Sequence, residues 1–385
     1  MPQIPVLNCC GCTACYNACE KMAITMTPSS EGFLYPKVNQ TLCCECKKCE
    51  AVCPINNPPT LSEKFFGGFV AQSNSDEVLN QTTSGGFIDA LYKYFTETVG
   101  GYAVGVSFDE NFLPTHKIVK SYSDCIQFRN SKYAQSNLSD VFSKIKTLLL
   151  NDEKVLFVGT PCQVAGLKSF LNNDFENLIT VDLVCRSVPS AKLWRSYLDW
   201  PEKGYNSKPI KVYCRKKTYG YHSGTLEILF ENGKRYNGSN RVDYFMKAFH
   251  SDKCSRHSCY SCNFKTKHRC SDFTVFDSWQ PEKVATQKIC DNNKGFSNVV
   301  VHSAKGSQII TQIGGINLVN ADVEKMFQFT GGMESNSVKK PADRNEFYNS
   351  IEKLGFEKGI KKHIKVTVKD RLIEKAKPIW YGVKK

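Results

Sequence analysis

The stretches CCGCTACYNAC (9–19) and CCECKKCEAVC (43–53) decide how this chain is organised. Once Cys10 and Cys44 are set aside, both follow the spacing C-x2-C-x2-C-x3-C. Three thiolates from one tight loop can face three corners of a cube-shaped cluster, and the fourth ligand must then come from another part of the chain. The doubled spacing predicts two metal clusters, with candidate ligands Cys9, Cys12, Cys15, Cys19, Cys43, Cys46, Cys49 and Cys53.

This pattern resembles the bacterial ferredoxins that hold two 4Fe–4S clusters, in which the last cysteine of each motif ligates the cluster of the other motif. The resemblance implies a first cluster on Cys9, Cys12, Cys15 and Cys53. It implies a second cluster on Cys43, Cys46, Cys49 and Cys19. One departure is Glu20, which stands where the usual motif has proline. A disulfide framework and two zinc sites are the alternatives, and neither suits this spacing in a chain without a secretory signal.

Length and composition favour a multidomain globular protein. The 385 residues predict two or three domains, and a hydrophobic content of 41% is ordinary for a chain that buries a core. The longest apolar runs are far below the roughly 18 residues that a membrane helix needs. The start, MPQIPVLNCC, lacks the features of a signal peptide. Nineteen cysteines without an export signal indicate a reducing compartment, so we expect a cytoplasmic protein.

Positive charge is concentrated at the end of the chain. The formal net charge is +14, and residues 359–385 hold nine Lys and Arg against Asp370 and Glu374, which is +7. We interpret 321–385 as a basic helical tail that is solvated, with contact to an acidic partner or a membrane surface as the alternative. No recognised binding motif accompanies the charge, so we do not expect nucleic acid as a partner.

After a linker at 54–60, the pattern becomes α/β. GGFVAQS (67–73), YAVGVSF (102–108) and VLFVG (155–159) predict buried strands. In TTSGGFIDALYKYF we expect a helix with Ser84 as N-cap and Gly85 and Gly86 in its first turn, a start that suits a phosphate. In VLFVGTPCQVAGLKSFL we expect a helix with Thr160 as N-cap and Pro161 at its first position.

Four further cysteines form a third candidate metal site. Cys162 falls in the first turn of the helix after VLFVG, where the helix dipole favours a thiolate. Cys185 follows the next predicted strand, LITVDL, and the ends of consecutive parallel strands lie close together. Cys259 and Cys262 form CYSC. We hypothesise a third 4Fe–4S cluster on these four cysteines, with zinc as the alternative.

Several segments then occur in a characteristic order: TTSGGF, RNSKYAQS, VLFVGTPCQVAGLKSFL, VDLVCRSVPS, SCYSCNFK, SDFTVFDSW and GFSNVVVHSAKG. With them, residues 1–310 resemble the beta subunit of coenzyme F420 (deazaflavin) hydrogenase/dehydrogenase, joined to an N-terminal two-cluster ferredoxin. The resemblance implies an α+β ferredoxin-like module at 1–60 and then an α/β flavin-binding core. That core would divide into an N-terminal-type domain at 61–145 and a C-terminal-type domain at 146–320, before the tail at 321–385.

The resemblance also implies bound FAD, and it places the third cluster on the same four cysteines. The implied FAD contacts are Ser84, Gly85, Gly86, Ser131, Lys132, Tyr133, Gln135, Gly159, Thr160 and Pro161. Lys132 is the candidate catalytic residue, since its charge would stabilise a reduced flavin. Two departures concern Arg186-Ser187, where many relatives have His-Gly, and Phe276 before Asp277, where many have Gly.

These observations predict an iron–sulfur flavoprotein oxidoreductase that passes electrons between 4Fe–4S clusters and FAD. The expected partners are a redox protein, such as ferredoxin or a dehydrogenase subunit, and a small-molecule hydride acceptor or donor. One candidate acceptor is the deazaflavin coenzyme. The alternative is another small molecule, for which a redox step in glycan metabolism is one option. A non-enzymatic electron-transfer subunit of a larger complex and a metal-stabilised scaffold are the rival hypotheses.

Overall fold

The computed structural model describes residues 7–382. Its strands are β1 (Ile24–Pro28), β2 (Leu34–Val38), β3 (Gly67–Ser73), β4 (Tyr102–Phe108), β5 (Pro114–Val119), β6 (Val155–Gly159), β7 (Leu178–Leu183), β8 (Pro209–Lys216), β9 (Thr225–Phe230), β10 (Arg235–Ser239), β11 (Phe273–Ser278), β12 (Phe296–Val301) and β13 (Ile316–Asn320).

The helices are α1 (Ala14–Asn17), α2 (Lys48–Ala51), α3 (Asp76–Gln81), α4 (Phe87–Lys93), α5 (Tyr122–Cys125), α6 (Val141–Leu150), α7 (Pro161–Leu171), α8 (Ala191–Tyr205), α9 (Tyr244–His250), α10 (Pro281–Val284), α11 (Ala304–Ile310), α12 (Val323–Gln328), α13 (Arg344–His363) and α14 (Val368–Trp380). A π-helical segment, Tyr94–Thr98, continues α4. Short 3-10 turns are Ile126–Phe128, Tyr221–Ser223 and His257–Ser261. Gly355, at a φ of 75°, kinks α13.

The N-terminal module contains two short helices and one hairpin. Strands β1 and β2 pair antiparallel from Ile24 opposite Val38 to Pro28 opposite Leu34. This is the hairpin that the alternating apolar residues around the turn PSSEG (28–32) predict. Helices α1 and α2 follow Thr13 and Lys47, whose φ angles of 64° and 59° are unusual for residues other than glycine. The repeated spacing therefore folds twice into the same local backbone.

One eight-stranded sheet forms the centre of the molecule, in the order β13-β3-β12-β11-β7-β6-β4-β5. The pairs β4–β6, β6–β7 and β7–β11 are parallel, and the other pairs are antiparallel. All five residues of β6 are buried, as expected for a parallel strand covered on both faces. The α/β core is confirmed. Because the sheet combines strands from the predicted 61–145 and 146–320 domains, those boundaries stay predictions.

The N-terminal module packs on one face of this sheet. Cys10, Cys12 and Ala14 belong to the same hydrophobic cluster as Phe142 of α6 and Leu167 of α7. On the other face, Phe87, Leu91 and Phe95 cover strands that include β12 and β11. A separate three-stranded antiparallel sheet, β10-β9-β8, packs with α8, α9 and α13 around Trp194 and Phe245. The module therefore shares a core with the sheet.

The prediction that 321–385 is a solvated tail is wrong for α12 and α13, which bury apolar side chains in the core. In α13, Phe347 and Ile360 are fully buried, and the fully buried Arg344 donates to both carboxylate oxygens of Glu31 in the N-terminal module, at 2.7 and 2.6 Å. Helix α14 instead lies on the surface. Lys384 and Lys385 of the basic tail lie outside the described residues. None of the helices within 7–382 combines the length and hydropathy that crossing a bilayer requires.

Candidate functional site

The first predicted ligand set converges on one small cavity. Cys9, Cys12, Cys15 and Cys53 line about 20 Å³ of space, together with apolar side chains that include Met26 and Ile55. We call these four residues the inner cysteine set. Burial, followed by the neighbouring thiols of Cys9, Cys53 and Cys49, raises the pKa of Cys15 to about 12. The last cysteine of the second motif thus meets the first three of the first motif, as the ferredoxin resemblance implied.

The second predicted set lies at the surface. Cys46 is exposed, Cys19 and Cys43 are half-buried and Cys49 is buried, and we call these four residues the outer cysteine set. Cys49 packs in one small hydrophobic cluster with Cys15, and Cys19 lies at its edge. The backbone N–H of Lys48 lowers the pKa of Cys46. The two sets are therefore neighbours, and one of them faces solvent.

The third predicted set lines a much larger cavity, of about 570 Å³. Cys162, Cys185, Cys259 and Cys262 all contribute to its wall, and we call them the cavity cysteine set. Cys162 lies in the first turn of α7 and Cys185 just beyond β7, whose neighbour β6 is parallel to it, as expected. The N–H of Cys262 donates to the Ser337 hydroxyl at 2.8 Å. The geometry brings all four sulfurs to one site.

The protonation of the cavity set differs from the expectation. We expected the dipole of α7 to favour a Cys162 thiolate, but hydrogen bonding to Cys10 and burial raise the pKa of Cys162 well above its usual range. Burial likewise raises the pKa of Cys259 to about 12. A bound metal would displace these protons, because metal ligation deprotonates a thiol outright. Within 7–382, no three His, Cys, Asp or Glu side chains could hold a single metal ion.

Two residues connect the inner set with the cavity set. The buried Cys10 packs in one hydrophobic cluster with Cys12 and Cys162, and its thiol is close enough to both to affect their pKa values. Arg256, which is 1% exposed, donates to the Cys9 carbonyl at 2.7 Å, and its Nη2 lies 3.7 Å from Cys9 Sγ. From the sequence alone, Cys10 is interpreted as structural and Arg256 is not singled out. The only sequence signals are the adjacency of Cys10 to Cys9 and the position of Arg256 three residues before Cys259.

Nine of the ten predicted flavin contacts line the large cavity: Ser84, Gly86, Ser131, Lys132, Tyr133, Gln135, Gly159, Thr160 and Pro161. Its volume lies within the roughly 300–1,000 Å³ of typical ligand sites. Thr160 caps α7 as expected, with its N–H donating to Gln163 Oε1 at 2.9 Å and with Pro161 at the first helical position. Gln135 donates to the Cys10 carbonyl at 2.8 Å, so this wall also touches the N-terminal module.

The predicted helix start at Ser84 is wrong. Helix α4 begins at Phe87, and its N-cap is Gly86, at a φ of 82°. Gly85 is needed for packing, because a Cβ there would lie 2.1 Å from the Ala71 carbonyl oxygen of β3. Its N–H donates to the Ser297 hydroxyl, which also pairs with Ser84 Oγ at 2.8 Å. Because Gly85 packs closely on β3 and β12, the helix begins at a later residue than predicted. Gly85 does not line the large cavity.

Lys132 lies at the cavity wall, but its ammonium group has a local role. Its Nζ donates to four successive backbone carbonyls at 2.9–3.2 Å, those of Gln127, Phe128, Arg129 and Asn130. Burial lowers the pKa of Lys132 to about 7, while the four acceptors favour the ammonium form. Lys132 therefore holds the turn before Ser131 in place, and its catalytic role stays a prediction.

A further polar group of the cavity wall, Arg215, was not predicted from the sequence. Arg215 at the end of β8 pairs with Asp277 at 2.6 Å, and its guanidinium centre lies 4.8 Å from the Trp279 ring and 5.2 Å from the Tyr221 ring. Asn130 holds the Arg215 backbone through two hydrogen bonds, of 2.8 and 3.1 Å. Within the described part of the chain, Arg215 Nη2 and the Tyr221 hydroxyl are buried without a hydrogen-bond partner.

The two sequence departures also lie at this cavity. Arg186 forms a double hydrogen bond with Asp252, at 2.8 and 2.9 Å, and Ser187 accepts from the Ser255 hydroxyl at 2.7 Å. Asp277 anchors Arg215, as described above. The stretch IKVYCR (210–215) resembles a strand but does not indicate which of its side chains would reach a ligand, so the sequence offered no signal for Arg215.

Comparison with known proteins gives the family context. The family model that matches residues 152–322 describes the C terminus of the beta subunit of coenzyme F420 hydrogenase/dehydrogenase. Among curated proteins, the F subunit of F(420)H(2) dehydrogenase from Methanosarcina mazei is 26% identical over 190 residues, covering 46% of this chain and 53% of that protein. Coenzyme F420-dependent sulfite reductase of Methanocaldococcus jannaschii is 22% identical over 316 residues, and the match covers 78% of this chain and 46% of that protein.

The chain thus spans about half the length of the curated relatives it matches. A similar solved chain comes from the F420-reducing NiFe hydrogenase complex of Methanosarcina barkeri. It is 18% identical, with a TM-score of 0.45, and the match covers 78% of this chain and 91% of that one. The relatives are named for redox reactions.

Proposed function

We propose that this chain, whose residues 152–322 match the model of the coenzyme F420 hydrogenase/dehydrogenase beta-subunit family, belongs to that family and is an iron–sulfur flavoprotein oxidoreductase. It would pass electrons between three 4Fe–4S clusters and FAD, and so to or from an organic hydride acceptor. The observation that carries this proposal is the continuous series of cysteine sets. The outer set faces solvent, the inner set lies behind it, and the cavity set lies beyond Cys10.

The residues present suit these cofactors. Each set offers four thiol sulfurs, the number that a 4Fe–4S cluster takes, and the four cysteines of the inner set line one cavity. When bound, such clusters carry single electrons, and a flavin exchanges electrons singly or as hydride. Met26 and Ile55 help to exclude water from the inner set.

The large cavity supplies the groups that a flavin and its acceptor need. Thr160 and Pro161 hold the turn at the start of α7, and Lys132 holds the turn before Ser131. In the same cavity wall, Arg215 Nη2 and the Tyr221 hydroxyl have no hydrogen-bond partner among the described residues and are donors for an anionic part of the flavin or of the acceptor. Asp277 and the Trp279 ring fix the guanidinium, so little side-chain entropy is lost when a ligand binds.

Deazaflavin coenzyme is the first acceptor to test, because the curated relatives carry coenzyme F420 in their names. A redox protein such as ferredoxin, or a dehydrogenase subunit, would dock where Cys46 is exposed. We expect this to occur in the cytoplasm, where thiols stay reduced. The second candidate function, an electron-transfer subunit without its own substrate, is favoured by the name of the Methanosarcina mazei relative, which describes one part of a larger dehydrogenase.

Anaerobic purification tests the cofactor content. We expect a flavin spectrum and iron near about twelve atoms per chain, which is four for each of three clusters. Cys162→Ser should remove about four irons, whereas the matched control Cys125→Ser, a buried cysteine outside the three sets, should remove none. Iron near about eight without flavin would favour the electron-transfer subunit. Zinc without sulfide, or a colourless protein, would contradict the proposal.

The acceptor is tested on the same preparation. The holoprotein is reduced with dithionite-reduced ferredoxin and then mixed with deazaflavin, a nicotinamide cofactor or a nucleotide sugar. Reoxidation of the flavin absorbance by one of these compounds identifies the acceptor class. If none of the three compounds reoxidises the flavin of a protein with full iron and flavin content, an electron-transfer subunit without its own substrate becomes the favoured function.

A further inference from the structure

Helix α14 turns apolar side chains to solvent, which is the reverse of the usual orientation of an amphipathic surface helix. A surface helix normally turns its apolar face to the core and its polar face to water. In α14, Val368, Leu372 and Ile379 are 74%, 63% and 82% exposed. At about 100° per residue these three side chains lie within roughly 40° of one another, so they form one line along the helix. We call them the apolar stripe.

The polar face of α14 holds the helix on the protein. Glu374 accepts from the backbone N–H and the hydroxyl of Ser239, at 2.9 and 2.6 Å. Asp370 Oδ1 lies 3.3 Å from Arg241 Nη1, and Asp370 Oδ2 lies 3.6 Å from Lys247 Nζ. Both acidic residues of the helix are therefore used in attachment. The outward direction of the apolar stripe follows from this attachment, since the stripe lies on the other side of the helix.

Positive charge flanks the apolar stripe on both sides. Arg371 and Lys375 lie along one edge and Lys369 along the other, and all three are exposed. Within residues 7–382, none of the three forms a salt bridge. Trp380, at the end of the helix, is 65% exposed. With Asp370 and Glu374 turned inward, the outward face carries positive charge without a compensating acid.

We propose that α14 binds an anionic lipid surface. The chemistry is that of an interfacial helix: apolar side chains enter the boundary between headgroups and acyl chains, while flanking Lys and Arg meet anionic headgroups. A terminal tryptophan is typical of the level of the headgroups. An exposed apolar line flanked by positive charge suits a deformable bilayer, whereas a protein partner would have to supply a matching groove with acidic rims.

Vesicle co-sedimentation of the intact, anaerobically purified chain tests this proposal. We expect binding to phosphatidylglycerol/phosphatidylcholine vesicles, with weak binding to phosphatidylcholine alone and a loss of affinity as salt increases. Leu372→Glu combined with Ile379→Glu should weaken the binding on the order of tenfold or more. The matched control is Leu354→Glu, a 50% exposed leucine on α13, which should bind like the native chain.

A second measurement reports insertion itself. Brominated acyl chains should quench Trp380 fluorescence, and Trp380→Phe should remove that quenching. Native-like iron content and circular dichroism of the stripe variant would show that its loss of binding does not come from misfolding. These readouts do not depend on flavin or on an acceptor, so they can fail while the proposed oxidoreductase function stands.

Three outcomes would overturn the proposal. The first is no binding to anionic vesicles. The second is equal binding by the stripe variant, which would reduce the contact to non-specific charge attraction. The third is a dimer in light scattering without lipid that the stripe variant converts to monomer, which would assign the apolar stripe to a second copy of the chain.

Discussion

The inner and outer cysteine sets arise from the same sequence pattern, yet they occupy opposite environments. Thr13 and Lys47 hold equivalent positions with nearly the same φ, but Thr13 is buried and Lys47 is exposed. Asn17 bonds to the Ser139 carbonyl at 2.9 Å and to Ser143 of α6, while its equivalent in the second motif, Ala51, has no side chain that could do so. The spacing sets the local backbone, and docking on the sheet differentiates the two sites.

This comparison suggests why a chain carries two such sites. An exposed site is accessible to a partner protein, and a buried one is protected and lies next to the cavity. The docking depends on close approach at one glycine: an added Cβ at Gly166 of α7 would lie 2.6 Å from Cys12 Cβ. Substitutions on either side of this contact should therefore decrease or increase the difference in burial between the inner and outer cysteine sets.

The largest effect is expected from exchanging single ligands. Cys53→Ser should remove about four irons and the signal of the inner site, although Cys53 belongs to the second motif. Cys46→Ser should also remove about four irons but leave the inner signal intact. Iron analysis with electron paramagnetic resonance distinguishes the two. If Cys53→Ser removed the outer signal instead, the crossed ligand assignment would be wrong.

An intermediate effect is expected at the contact between α7 and the inner set. Gly166→Ala should lower the free energy of unfolding by about 1–3 kcal/mol, because the added methyl group overpacks Cys12. Denaturant unfolding under anaerobic conditions measures this change.

The matched control for that experiment is Gly204→Ala. Gly204 is a helical glycine of α8 whose added Cβ would meet no described atom within 4 Å. It should be neutral or stabilise the protein by up to about 1 kcal/mol. Equal destabilisation by both variants would show that the Gly166 contact does not distinguish the two sets.

The smallest effect concerns the redox potential. Arg256 places a buried positive charge beside Cys9, and this charge stabilises the reduced, more negative form of an adjacent cluster. Arg256→Met should lower the inner potential by about 60 mV, which corresponds to about 1.4 kcal/mol for one electron. A redox titration followed by paramagnetic resonance measures it, with the exposed Arg235→Met as control. A shift of the outer potential by the same amount would argue against a local effect of Arg256.

The sequence predicted the local features of this fold well. Largely apolar runs identified β3, β4 and β6 with their observed bounds. For β6 the run is wholly apolar, because a strand that is parallel to both neighbours and covered on both faces leaves no polar position. The order Thr160-Pro161 identified the start of α7. Proline is favoured at the first helical position because an N–H there would have no acceptor within the helix. The start of α4 could not be predicted in this way, because the backbone at Gly85 follows its packing against β3.

The amino-acid sequence by itself determined the two spaced cysteine motifs and the α/β class, because spacing and periodicity act between residues close in the chain. The cavity set, whose members lie up to 100 positions apart, was a hypothesis from the sequence. Only the tertiary structure placed Cys10 between Cys12 and Cys162, brought Arg256 to Cys9 and turned the apolar stripe of α14 outward. Contacts of this kind join residues up to 247 positions apart. They depend on how whole elements pack, and no local spacing encodes that packing.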